Sequence, residues 1–308
     1  MTGPFVIHEV GMRDGLQMEH VTVPTATKLR WIRTLMASGV DIIQVGSFVH
    51  PDKVPQMADT DDLFREVAVE RTGSPSIILS GLVLNEKGLD RGMVCGVDMF
   101  CMGVSASETH SRKNTGMGVA EATDRIIAMA RRAIAAGKNV QVSVQSAFGC
   151  GFEGRVPPSK VLEIITRYLD AGLTGISLAD TAGHATPDRV EELFEAIVKL
   201  ESNVELACHF HNTYGMGMAN VYAAMRGGVR SLECSVAGLG GCPFTKIAGG
   251  NVCTEDLVHM LQRMGLRADI NLPVLTRLAG EVAEFFGREM PGTVYRTGPI
   301  PADGAAHD

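Results

Sequence analysis

No Cys-x-x-Cys pair occurs in the sequence, and its seven cysteines are odd in number, which excludes a fully paired disulfide framework and disfavours a structural zinc site. A reduced interior with cysteines as plain core residues is expected instead. No run reaches the roughly 18 apolar residues of a membrane-spanning helix. The N-terminal MTGPFVIHEVGMRDG lacks a basic segment followed by a long apolar one, so no secretory signal is expected and the cytoplasm is the expected compartment. Positive charge is in deficit: 28 Lys and Arg against 35 Asp and Glu leave a formal charge of −7. That field argues against nucleic acid and anionic membranes as partners, while leaving room for a small anion held by a few local cations.

What the chain does have is a repeating alternation. Short apolar, β-branched runs at Phe5–Val10, Asp41–Gly46, Ser76–Val83, Val97–Val104, Asn139–Ala147, Gly175–Ala179, Val204–His211 and Ser231–Ala237 read as eight strands. Between and after them lie amphipathic patterns at Thr25–Ser38, Asp61–Arg71, Ala120–Ala136, Pro158–Ala171, Pro187–Leu200, Gly217–Arg226 and Thr254–Met264, with a weaker one at Glu86–Gly92. Thr186 before Pro187 reads as an N-cap, and Gly39, Gly137, Gly172 and Gly265 follow helical runs as C-terminal stops. Eight βα units predict an α/β fold, a TIM (β/α)8 barrel with an additional C-terminal helix at Leu275–Phe286. A doubly wound open sheet is the rival, but the first turn, Gly-Met-Arg-Asp-Gly, is no dinucleotide fingerprint. The expected division is one barrel domain over residues 1–287 and a Gly/Pro-rich, partly ordered tail over 288–308.

A TIM barrel works at the C-terminal ends of its strands, so the polar residues there are the candidates. They are Arg13 and Asp14 after strand 1, Gln44 and Ser47 on strand 2, and Gln145 on strand 5. Asp180 and Thr181 follow on strand 6, His209 and His211 on strand 7, and Gly240-Gly241-Cys242 with Asn251 beyond strand 8. Residues two apart on a strand share a face, so His209 and His211 can grip one metal ion; two surface histidines on an edge strand would give the same spacing. Asp14 can add a hard oxygen and Asn251 a neutral carbonyl oxygen. Two nitrogens and two oxygens suit Mg2+ or Mn2+ better than structural zinc. Arg13, bracketed by Gly11 and Gly15, can face the same pocket and stabilise a developing oxyanion, or form a surface salt bridge. The glycine-rich segment SVAGLGGCPFTKIAGGN reads as a lid with Cys242 as a catalytic or gating thiol. No Gly-Lys-Ser/Thr follows it, which disfavours a nucleotide phosphate loop. Arg112 and Lys113, in HSRKNTG after strand 4, could meet the phosphates of a cofactor or simply lie in a solvated loop.

The combination of MRDGLQ, SFVHPDKVPQMAD, SLADTAG, HFHNTYGMGMAN and VAGLGGCPFTKIAGGNVCTEDLV resembles the 3-hydroxy-3-methylglutaryl-CoA lyases of the DRE-TIM metallolyase superfamily, from about residue 5 to residue 285. The resemblance implies a divalent-metal-dependent retro-Claisen lyase, with Mg2+ or Mn2+ held by Asp14, His209, His211 and Asn251. It implies that Arg13 neutralises the enolate of departing acetyl-CoA and that the loop thiol of Cys242 takes part in proton transfer. His209 or a metal-bound water, with Asp180 in competition, are the candidates for the base. Glu255 and Asp256 match an acidic pair after the metal asparagine. The implied products are acetyl-CoA and acetoacetate, the implied partner is an acyl-CoA substrate, and the implied assembly is a homodimer. The sequence departs from the family pattern at Gln44, where glutamate is usual, at Met18, where asparagine is common, and at Asn212, where aspartate is common. A lyase acting on another 3-hydroxyacyl-CoA, such as citramalyl-CoA or a longer-chain glutaryl-CoA, is therefore the alternative. A non-catalytic CoA- or metal-binding homologue stands behind it.

Overall fold

The structure, a computed structural model, describes residues 5–70, 77–241 and 249–300. Eight parallel strands close into a barrel in sequence order: β1 (Val6–Glu9), β2 (Ile42–Ser47), β3 (Ile78–Leu82), β4 (Met99–Ser105), β5 (Asn139–Gln145), β6 (Gly175–Asp180), β7 (Glu205–Phe210) and β8 (Ser231–Cys234), with β8 pairing back onto β1. Each lies within a run expected as strand or overlaps it, trimmed at the ends.

The barrel is wrapped by α1 (Thr25–Ser38), α2 (Thr60–Glu70), α3 (Glu86–Val94), α4 (Glu108–Thr115), α5 (Val119–Ala135), α6 (Pro158–Asp170), α7 (Pro187–Leu200), α8 (Gly217–Arg226) and α9 (Thr254–Arg263). Beyond them come α10 (Leu272–Phe286), the expected extra helix begun three residues earlier, and the four-residue α11 (Val294–Thr297). The four glycines expected at helix ends have positive φ; Gly39, at 88°, ends α1 in the left-handed conformation that an L side chain resists. Thr186 precedes α7 as expected but does not cap it through its side chain: its hydroxyl donates to Asp188 instead. The segment expected as a loop after β4 is the helix α4. Ser107 Oγ accepts from His110 N at its start (3.1 Å) and Gly116 ends it at φ 78°.

The main core fills the space between strands and helices. Outward strand residues such as Ile7, Ile43, Leu79, Phe100, Ile176 and Leu232 meet Trp31, Leu35, Phe64, Ile165 and Phe194 from the helices. Burying each such side chain stabilises the fold by roughly 1.5–3 kcal/mol before chain entropy is counted. Inside the barrel a small apolar cluster of Ile42, Met99 and Cys101, with Val6, Ile78 and Leu82, is separate from that core. No helix among the described residues is long and apolar enough to cross a membrane.

Candidate active site and cation-binding cluster

The chain leaves β1 through a single π-helical turn, Gly11–Gly15, closed by Asp14 N and Gly15 N donating to Val10 O. That turn swings two consecutive side chains, Arg13 and Asp14, to the same side, which an extended strand would not do. Both line a cavity of about 570 Å3 at the C-terminal mouth of the barrel, together with Gln44, His209, His211 and Glu233. Arg13 Nη1 donates to Asp14 Oδ1 (2.5 Å), and Arg13 Nε donates to Gln44 Oε1. Gln44 therefore orients the guanidinium without adding the negative charge that glutamate would bring.

Asp14, His209 and His211 present three ligand atoms within 4.8 Å of one another. The Nε2 atoms of the two imidazoles are 3.1 Å apart, and Asp14 Oδ2 lies 3.7 Å from each. Asn251 joins them: its Nδ2 donates to Asp14 Oδ2 (2.9 Å) and to Leu239 O (2.9 Å), leaving its Oδ1 buried with no hydrogen-bond partner among the described residues. The amide is thereby fixed with an unsatisfied acceptor, a state that normally costs about 1–3 kcal/mol. All four residues are at most 7% exposed. Nitrogen and oxygen donors, no thiolate and an orphaned carbonyl oxygen fit a hard divalent cation such as Mg2+ or Mn2+.

The electrostatics agree. Burial opposes ionisation of Asp14, but the Arg13 guanidinium and the two imidazoles hold its carboxyl well below the usual carboxylate range. For His209 burial favours the neutral ring, while the hydrogen bond to Glu233 and the charges of Asp14 and Glu233 raise its pKa. Glu233 is itself buried, yet its bonds to His209 and Ser177 bring its pKa down to about 2.

The loop after β8 approaches closely. Gly240, at φ 116°, leaves room for Asn251 Nδ2, which a Cβ would meet at 2.5 Å; a Cβ on Gly250 would lie 1.8 Å from Gly238 O. Gly241 lines the cavity. Cys242, the expected thiol, lies outside the described residues.

Five further residues singled out in the sequence lie outside the cavity lining. Asp180 does not line the cavity. On β6 it is Ser177, Ala179 and, just beyond, Thr181 that face inward, so the period of two turns Asp180 outward. Its two carboxylate oxygens accept from His184 N (2.8 Å) and Ala185 N (2.9 Å), anchoring the turn into α7, and burial pushes its pKa up. Arg112 and Lys113 lie on the solvent side of α4: Arg112 pairs with Glu108 at 3.6 Å and the Lys113 ammonium sits 3.9 Å from the Phe152 ring centroid. The lining residues of that helix are His110 and Asn114, and Lys53, in the turn after β2, also lines the cavity. Glu255 and Asp256 are also outside the cavity. Glu255 Oε2 accepts from Ala237 N (3.0 Å), and Asp256 accepts from Thr293 N and Val294 N, tying the tail at the start of α11. Sequence reasoning missed Glu233, whose signal was a charged residue at an inward position of the alternating Ser-Leu-Glu-Cys-Ser run.

The molecule is thus a closed β/α barrel with an acid–imidazole–amide cluster and an arginine in the cavity at the C-terminal mouth, where barrels of this class place their active sites. The HMGL-like family model matches residues 5–282, and the chain belongs to that family. It is 34% identical over 285 residues to hydroxymethylglutaryl-CoA lyase YngG of Bacillus subtilis, covering 92% of this chain and 94% of that one. It is 35% identical over 300 residues to the (R)-citramalyl-CoA lyase of Chloroflexus aurantiacus, covering 96% and 95%. An HMG-CoA lyase structure from Acinetobacter baumannii, in complex with coenzyme A and 3-methylmalate, superposes with a TM-score of 0.91 at 34% identity, covering 100% of this chain and 99% of that one.

Proposed function

We propose that this carbon–carbon lyase cleaves 3-hydroxy-3-methylglutaryl-CoA by a retro-Claisen reaction to acetyl-CoA and acetoacetate. The observation that carries the reading is the convergence of Asp14, His209, His211 and the unpartnered Asn251 Oδ1 beside Arg13 in one buried cavity. Those four residues would hold Mg2+ or Mn2+. Such an ion supplies Lewis-acid polarisation of a substrate's hydroxyl and carboxylate oxygens.

The chain's own groups account for the rest. The 3-hydroxyl loses its proton, its oxygen becomes the ketone of acetoacetate, and the electron pair of the C2–C3 bond passes into the thioester as an enolate. Arg13 is placed to stabilise that negative charge, and Gln44 and Asp14 hold its guanidinium in the cavity. Cys242 returns a proton to C2. Neither side-chain candidate is placed to take that proton, since Asp180 faces away from the cavity and His209 has Nδ1 on Glu233 and Nε2 in the cation cluster, so the proton passes to water in the cavity. The partner that fits is an acyl-CoA, as the coenzyme A complex of the structural relative supports.

A second reading is favoured by the cavity wall itself. Gln44 and Met18 both line it, and the citramalyl-CoA lyase is as similar to this chain as the hydroxymethylglutaryl-CoA lyase is. Purified protein with Mg2+ or Mn2+ and a reductant should release acetyl-CoA and acetoacetate from 3-hydroxy-3-methylglutaryl-CoA, and a chelator should stop it. Release of acetyl-CoA and pyruvate from citramalyl-CoA, with the first substrate inert, would replace the first reading by the second. Inertness of both, in a folded protein that binds Mn2+, would reject the two together.

A further inference from the structure

On β8 the alternation places Ser231 and Glu233 inward and Leu232 and Cys234 among the helices. In the barrel register Glu233 lies directly opposite His209 of β7. The two side chains therefore leave neighbouring strands on the same face. Glu233 Oε2 lies 3.0 Å from His209 Nδ1. The other oxygen, Oε1, accepts from Gln141 Nε2 of β5 (2.7 Å) and Ser177 Oγ of β6 (2.8 Å). Two donors from two further strands thus hold one oxygen and turn the other toward the imidazole. Both donors are neutral, so the negative charge of Glu233 remains to act on His209.

An ionised carboxylate only accepts hydrogen bonds, so the contact requires a proton on His209 Nδ1. In the neutral ring the lone pair is then on Nε2, the atom that faces His211 Nε2 and Asp14 Oδ2. His211 has no such support among the described residues, where its Nδ1 is buried without a partner. One of the two imidazoles is therefore oriented from behind and the other is not.

We propose that Glu233 is a positioning residue that fixes His209 in the tautomer and ring orientation able to bind a cation through Nε2; this rests on the cation reading of the Asp14, His209, His211 and Asn251 cluster. Carboxylates behind a ligating histidine act in this way, and losing one costs about 10–100-fold in metal affinity or activity. Glu233 touches neither substrate nor cation in this scheme. It acts through His209.

The test uses the full-length protein and Mn2+ alone. Free Mn2+ is followed by electron paramagnetic resonance for wild type, Glu233→Ala and Glu233→Gln, and the fold of each is checked by circular dichroism and thermal unfolding. Affinity should fall about 10–100-fold in Glu233→Ala and recover in part in Glu233→Gln, which keeps an acceptor for Nδ1–H. Nitrogen-15 spectra of the histidine rings, recorded without metal and with Mg2+, should show His209 protonated at Nδ1 in wild type and not uniformly so in Glu233→Ala. If Glu233→Ala does not fold, Glu233→Gln and the wild-type ring spectrum decide. Wild-type Mn2+ binding matched by both variants, with an unchanged His209 signature, overturns the inference alone. Wild-type protein that takes up no Mn2+ overturns the cation reading and the inference with it.

Discussion

Glu233 and Glu9 sit on the paired strands β8 and β1, both fully or nearly fully buried, one facing the lumen and the other the helices. Their surroundings treat the same carboxyl group in opposite ways. In the lumen Glu233 meets an imidazole and two neutral donors, and its pKa falls to about 2. Behind the strand the described partners of Glu9 are Thr254 Oγ1 and the amides of Gly11 and Val236, and burial drives its pKa up to about 7. Glu255, in the same outer layer, is pushed up to about 8, again chiefly by burial. Both faces exclude water, so burial is not what separates them. The lumen supplies groups that stabilise charge, whereas the outer layer supplies apolar side chains and a few backbone amides. Charge chemistry therefore belongs to the lumen and stability to the shell, and this division can be broken experimentally.

The largest effect should come from the shell. Phe194 of α7 is fully buried against Phe148, with Gly227 packed beneath it. Phe194→Ala should lower unfolding free energy by about 3–5 kcal/mol, read from the urea midpoint, with turnover per folded molecule unchanged. A fall in that turnover would show that the shell reaches the chemistry. Next in size is the lumen counterpart. Arg13→Ala should reduce kcat per folded molecule by about 100- to 1,000-fold, the loss typical of one oxyanion donor, and should also lower the urea midpoint because buried Asp14 loses its guanidinium partner. Wild-type turnover would remove Arg13 from the mechanism.

The third prediction sets the two acids against each other through pH. Glu233 has a folded pKa below its ordinary value of 4.5, so its contribution is present above that value and is lost as pH falls from about 4.5 toward 2. Glu9 and Glu255 have folded pKa values above 4.5, so the folded state keeps protons that the unfolded chain releases. Their effect has the other sign: stability declines as pH rises from about 4.5 toward 8. Glu255→Gln should flatten that decline, measured by urea unfolding between the two pH values. A decline unchanged in the variant would assign it elsewhere.

The shell was the more legible of the two regions because its signal is periodic. Outward residues such as Leu206, Cys208 and Phe210 on β7 form the apolar half of an alternation, and helices such as α1 and α7 carry an apolar stripe, so strand and helix positions could be read from spacing. The helix α4 escaped because Glu-Thr-His-Ser-Arg-Lys-Asn-Thr has no apolar stripe, although its Ser107 cap and Gly116 stop were both present. In the lumen, the Arg13–Asp14 and His209–His211 pairs were visible as polar residues at strand ends. Asp180 was picked for its place at a strand end, which says nothing about which face a residue takes. Glu233 was overlooked for the converse reason: it lies within a strand, and its role depends on a neighbour 24 positions earlier brought beside it by barrel closure.

The smallest effect concerns the rim, where lumen and solvent meet. Lys53, in the turn after β2, lines the cavity, whereas Arg112 and Lys113 on α4 are engaged with Glu108 and the Phe152 ring on the solvent side. An exposed ion pair contributes only about 0.2–1 kcal/mol, so a lysine meeting a CoA phosphate should be a binding aid and not part of the chemistry. Lys53→Met should raise KM for the CoA thioester up to about fivefold and leave kcat alone, while Arg112→Ala and Lys113→Ala should change neither. The matching pantetheine thioester, which lacks the nucleotide phosphates, separates two contacts that would give the same KM. With that substrate the Lys53 effect should vanish if the lysine meets a phosphate and persist if it meets the acyl carboxylate. The reverse pattern, a KM raised by the α4 variants and not by Lys53→Met, would put the phosphates on the solvent face of α4 and move the boundary of the site outward from the lumen.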